Sequence, residues 1–176
     1  MSGLAAQSGV KDLATVTPQG EPITPTIEGV TVRPAPTHTD HRGSVVELLS
    51  STWPEHFGDG APHIYLATVV PGVVKGWVCH VGQDDRSVAL FGRLRWVLYD
   101  GREDSPTQGL IQTVTQTEAS RALITVPDGV WHAVENVGPT EAGFVNMPTV
   151  PYDHGDPDKH RLPIDTDKIP FSFERQ

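Results

Sequence analysis

Side chains that can move a proton or hold a cation gather in two stretches of this sequence. The first runs Lys75-Gly76-Trp77-Val78-Cys79-His80 and continues to Asp85 and Arg86; the second is Pro127-Asp128-Gly129-Val130-Trp131-His132. A neutral imidazole accepts a proton near neutral pH, so His80 and His132 are candidate general bases. With Asp85 they also make a two-histidine, one-carboxylate set that suits one divalent metal such as Fe, Mn or Zn with open positions. The plain alternative is a pair of partly buried histidines hydrogen-bonded across a core. Lys75, Arg42 and Arg86 are cations in a chain of net charge −9. Ammonium groups and guanidinium forks of this kind bind the oxygens of a diphosphate.

Such side chains need a rigid frame, and 176 residues give one domain with room for a core. Gly (17) and Pro (16) are abundant enough for many short strands joined by tight turns. Short β-branched runs recur from Gly29 onward: 29–34, 44–50, 64–70, 73–80, 87–91, 94–99, 110–115, 122–126, 131–137 and 143–147. Turn clusters separate them, and no long helical period intervenes. The pattern predicts an all-β sandwich or closed barrel. Residues 1–28 read as a flexible arm, 29–150 as the barrel, and 151–176 as a polar, Pro-rich segment whose composition alone suggests a solvated tail.

The acidic balance argues against nucleic-acid binding. No apolar run approaches the roughly 20 residues that span a bilayer, and the N-terminus lacks the pattern of a signal peptide. Cys79 is the single cysteine, so no internal disulfide forms and a cytoplasmic, reducing setting is expected.

Two blocks are similar to the paired motifs of the cupin superfamily. Pro127 to Asn136 fits P-x-G-x-x-H-x-x-x-N, while Gly72, Asp85 and Gly92 keep the spacing of the other motif, whose first His is replaced in Val78-Cys79-His80. Asp40-His41-Arg42-Gly43 with Glu47, Lys75-Gly76-Trp77-Val78, and Ser105-Pro106-Thr107-Gln108-Gly109 resemble segments of the dTDP-4-dehydrorhamnose 3,5-epimerases. The resemblance runs from about Gly29 to Phe173. It implies a cupin jelly roll closed by the C-terminal segment, and a homodimer in which an N-terminal strand crosses to the partner.

For activity, the resemblance implies epimerisation or isomerisation of a nucleotide-diphosphate 4-keto sugar, by proton abstraction next to the ketone. That reaction serves deoxysugar, polysaccharide or natural-product biosynthesis and needs no cofactor. The family's base falls at Val78, its Lys at Asp85 and its acidic Tyr at Asn146, and the residue that stacks on the nucleotide base falls near Ser44 or Val45. His80 is then expected to act as the base, with His132 and Asp165 as the surviving catalytic positions. Arg42, Glu47, His63, Lys75, Arg86, Asn146 and Tyr152 are the expected substrate contacts. A metal-dependent cupin enzyme using His80, Asp85 and His132, and a catalytically altered cupin that only binds sugar nucleotides, stay open as alternatives.

Overall fold

The computed structural model describes residues 13–50, 52–53 and 63–173. These form twelve strands and no helix: β1 (Thr31–Pro34), β2 (Thr37–Asp40), β3 (Gly43–Val46), β4 (Tyr65–Val69), β5 (Val74–Cys79), β6 (Asp85–Phe91), β7 (Leu94–Asp100), β8 (Ile111–Gln116), β9 (Ala122–Val126), β10 (Val130–Asn136), β11 (Ala142–Asn146) and β12 (His160–Arg161). All pairings are antiparallel. One five-stranded sheet has the order β1-β9-β6-β11-β4 and the other β12-β5-β10-β7-β8; β2 and β3 make a separate hairpin.

Alternation along the strands sorts the side chains into three apolar layers. Trp96 and Leu98 of β7 point inward with Val130 and Val134 of β10, where they meet Ala89, Ile124 and Phe144 of the other sheet. Val97 and Ala133, one residue out of phase, turn outward with Trp77. There they are covered by Leu162, Ile164, Ile169, Phe171 and Phe173. The outer face of the first sheet is covered in the same way, with Leu48, Leu49 and Trp53 over Val88 and Leu123. Strands buried on both faces read as continuous apolar runs, and β9 (Ala-Leu-Ile-Thr-Val) is buried along its whole length.

The C-terminal segment therefore departs from the solvated tail that its composition suggests. Its polar residues do face water over much of 151–159, yet five apolar residues spaced through 162–173 cap the outer face of a sheet. The arm also enters the core, since Ile27 is buried and its amide donates to Gln112 Oε1. Two strands are added to the ten expected. β2 completes a hairpin around Asp40–Gly43, and the two-residue β12 covers the edge of β5. No described helix is long and apolar enough to cross a membrane.

Candidate active site

Three local devices bring the two histidine-bearing stretches together. The first is close approach: a Cβ at Gly76 would lie 2.4 Å from the Ala133 Cβ, so only glycine lets β5 press against β10. There Val78 opposes His132. The second is the Pro127-Asp128-Gly129 turn, in which Gly129 takes φ +75°, a conformation that favours glycine. The Gly129 amide donates to the His80 carbonyl at 2.7 Å, and the Asp128 amide donates to Asp84 Oδ1 at 3.1 Å. One turn thus ties down the chain at His80, at the residue before Asp85, and three residues ahead of His132. The third device is Asp158, which the sequence reading did not single out. Its carboxylate accepts the amides of Val81 and Gly82, and its carbonyl accepts from the His80 ring.

The result is a buried cluster. Asp85 Oδ2 lies 3.3 Å from His80 Nε2 and 3.4 Å from His132 Nε2, and Asp85 Oδ1 accepts from Gln83 Nε2. The partners of the other ring nitrogens fix the proton positions. His80 Nδ1 meets the Asp158 carbonyl and His132 Nδ1 meets the Val130 carbonyl. A carbonyl only accepts, so both Nδ1 atoms carry hydrogen. In the neutral rings both Nε2 lone pairs then converge with a carboxylate oxygen, an arrangement of acceptors without a donor. Added positive charge resolves it, either as a proton on an Nε2 or as a metal ion.

The electrostatics agree. Burial pushes the Asp85 carboxyl up, but hydrogen bonds and charge from His132 and His80 outweigh it and hold the group well below the carboxylate range. Burial pushes His80 down, but the Asp85 carboxylate and then the Asp158 carbonyl overcome it, so its pKa is raised. The same three donors fit a divalent metal. Their ligand atoms lie within 4.8 Å of one another, and Nδ1–H donation to backbone carbonyls is the usual outer support of histidines that bind metal.

The cluster forms part of the wall of a cavity of about 470 Å³ between the sheets. Lys75, Lys159 and Arg161 line the same cavity. Burial lowers the Lys159 pKa, and the charges of Arg161 and Lys75 push it the same way, so three cations converge in an acidic protein. Tyr65, Asn146 and Ser87 also line it, in one cross-strand row: Asn146 opposes Tyr65 on β4 and Ser87 on β6. The indole N–H of Trp96, which lines the cavity too, has no acceptor among the described residues. A smaller cleft of about 260 Å³ shares His80, Tyr65 and Lys159 with the cavity and adds His63 and Tyr152. The His63 and Tyr152 rings stack at 6.5 Å.

Of the expected site residues, His80, His132, Lys75 and Asn146 meet in the cavity, and His63 and Tyr152 in the adjoining cleft. The other four lie elsewhere. Arg86 is fully buried, with Nε donating to the Met147 carbonyl at 2.8 Å and Nη2 to the Pro148 carbonyl. One residue after Asp85 on a strand, it necessarily takes the opposite face. Arg42 is exposed in the β2–β3 turn and paired with Asp40. Glu47 and Asp165 are exposed and do not line the cavity. Lys159, Arg161 and Asp158 escaped the sequence reading because a polar segment gives no periodic signal. Tyr65 escaped because only strand register shows what it faces.

A jelly-roll barrel with histidine, carboxylate and lysine side chains around an inter-sheet cavity defines the chain as a cupin. No protein-family model matches it. It is 39% identical over 142 residues to a probable low-salt glycan biosynthesis epimerase of Haloferax volcanii, covering 80% of this chain and 90% of that protein. It is 33% identical over 152 residues to the spore coat polysaccharide biosynthesis protein SpsL of Bacillus subtilis, covering 85% and 98%. The crystal structure of a dTDP sugar isomerase from Desulfovibrio desulfuricans G20 superposes with a TM-score of 0.75 at 32% identity, covering 84% of this chain and 92% of that one. The chain belongs to the dTDP-4-dehydrorhamnose 3,5-epimerase family of sugar-nucleotide epimerases. Val78 and Asn146, the positions at which the resemblance led us to expect the family's His and Tyr, both line the cavity.

Proposed function

We propose that the protein epimerises or isomerises a nucleotide-diphosphate 4-keto sugar at a single carbon next to the ketone, using the His80–Asp85–His132 cluster as the base. The observation that carries this reading is the convergence of two Nε2 lone pairs and a carboxylate on one point of the cavity. Taking a proton from substrate is the step that relieves this convergence, and Asp85 then stabilises the imidazolium. His80 is the ring assigned to the transfer, since it faces both the cavity and the smaller cleft. Lys75, Lys159 and Arg161 supply charge for the diphosphate, a role Arg86 is turned away from. Likeness to a glycan epimerase and a dTDP sugar isomerase supports the substrate class.

Incubation with a panel of nucleotide-diphosphate 4-keto-6-deoxy sugars, followed by NMR, tests the reading. Conversion of one member to a single new stereoisomer or ketone isomer is expected, with binding weakened about tenfold or more by Lys75→Ala or Arg161→Ala. No conversion and no binding at millimolar ligand would end it.

A second reading rests on the same Nδ1–carbonyl pairs. His80, Asp85 and His132 would hold one divalent metal, which would supply Lewis-acid polarisation of a bound carbonyl. Metal analysis of protein purified without an affinity tag decides between them. One ion per chain, lost in His132→Ala, supports the metal; a level below a tenth of an ion per chain rejects it.

A further inference from the structure

We propose that Tyr65 is the acid that returns a proton to the substrate carbon, on the face opposite the histidine cluster, and that Asn146 positions it. The inference rests on the epimerase reading above and adds the second half of its reaction. Tyr65 belongs to β4 at the edge of one sheet, while His132 lies on β10 and His80 directly after β5 in the other. Both sides contribute to the same cavity. Asp85 reaches the two histidines from β6 in the sheet of Tyr65, while the imidazoles themselves come from the other sheet; inversion at carbon needs an acid facing the base across the substrate.

The hydrogen-bond row sets the direction of the phenol. Ser87 Oγ donates to Asn146 Oδ1 at 2.6 Å, which leaves Asn146 Nδ2 to donate to Tyr65 Oη at 2.8 Å. The phenol oxygen accepts there, so its own hydrogen is free to point elsewhere. No described residue receives it. Burial and the charge of Asp85 raise the Tyr65 pKa, so the group holds its proton at neutral pH, and the Asn146 N–H opposes that shift by favouring the phenolate. A donor that keeps its proton until needed, next to a group that stabilises what remains after transfer, has the properties of a catalytic acid.

The C–H bond next to the ketone breaks, its proton goes to His80 Nε2, and the electron pair moves to form the enolate. The enolate carbon then takes the Tyr65 hydroxyl proton from the other side, restoring the ketone and leaving a phenolate accepting from Asn146. Solvent removes the proton from His80 and returns one to Tyr65.

Dissecting proton loss from inversion tests the assignment, with dTDP-4-keto-6-deoxyglucose in heavy water as the probe. The wild-type protein is expected to form an epimer carrying deuterium at one carbon. In Tyr65→Phe, epimer formation falls about 100-fold or more, while deuterium still enters the unconverted substrate within about threefold of the wild-type rate, because His80 removes and returns protons on its own face. Asn146→Ala moves the alkaline limb of epimer formation to higher pH, a change that a purely structural role would not cause. If Tyr65→Phe epimerises within threefold of wild type, the assignment is wrong. It is equally wrong if that variant, melting at the wild-type temperature, loses deuterium entry along with inversion. A wild-type protein that gives neither signal overturns the epimerase reading itself, and this assignment with it.

Discussion

At the scale of single residues, the sequence pointed to His80, Asp85 and His132 by type and spacing, and the fold brings those three together. It could not separate Arg86 from Asp85, because neighbouring residues on a strand look alike until a face is assigned. It also could not pair Asn146 with Tyr65, since that contact spans 81 residues and depends on β4–β11 register. The cluster has a consequence for stability in metal-free protein. Asp85 is held below its ordinary 3.8, so its stabilisation is in place above that pH and lost as pH falls through and below it. His80 is raised above its ordinary 6.5, so its stabilisation is in place below 6.5 and lost as pH rises through the folded value. The pair therefore stabilises most between about pH 4 and 6.5. Calorimetric melting across pH should show the wild type losing its advantage over His80→Gln above that window. A constant difference from pH 5 to 9 would contradict the assigned coupling.

At the scale of elements, the motifs divide into chemistry and scaffold. Asn136, which closes the second motif, donates to the Val69 and Thr140 carbonyls at 2.7 Å and has a structural task. The Ser105–Gly109 loop is likewise scaffold. Its Ser105 and Thr107 hydroxyls donate to buried Asp100 Oδ2 at 2.5 and 2.6 Å, and Arg102 adds a two-pronged contact at 2.9 Å. Burial would raise the Asp100 carboxyl, but Arg102, Ser105 and Thr107 prevail and keep it ionised. Arg102 and Thr107 also bind the backbone of Glu28, fastening the arm. Asp100→Ala strands these donors and should cost about 2–4 kcal/mol, lowering the midpoint of a circular-dichroism melt by roughly 10 °C. A fall of less than about 2 °C would show the hub to be dispensable. The sequence marked this loop by resemblance alone. Its load emerges only when Asp100, at the end of β7, is seen beneath it.

At the scale of the molecule, the β2–β3 hairpin pairs with no other described strand. Nearly all its residues are exposed, including Val45 at 66%, and a lone two-stranded hairpin is marginal in water. A second copy of the chain would give it a sheet to join, and would take up Arg42 and Glu47, which do not line the cavity of their own chain. Light scattering at micromolar concentration should give the mass of a dimer, and a 19.1 kDa species would exclude it. The barrel itself was legible from ten short β-branched runs. The closing role of the C-terminal segment was expected from the resemblance alone, because five apolar residues dispersed among charges and prolines have neither strand nor helix period.

Deuterium entry from solvent measures directly whether the converging histidines and Asp85 remove a proton next to a ketone. The protein is incubated in heavy water with dTDP-4-keto-6-deoxyglucose, and deuterium is located carbon by carbon by NMR. Entry at one carbon, slowed about 100-fold or more in His80→Gln, is the predicted result. Entry at two carbons, or entry unaffected by the loss of His80, would contradict it.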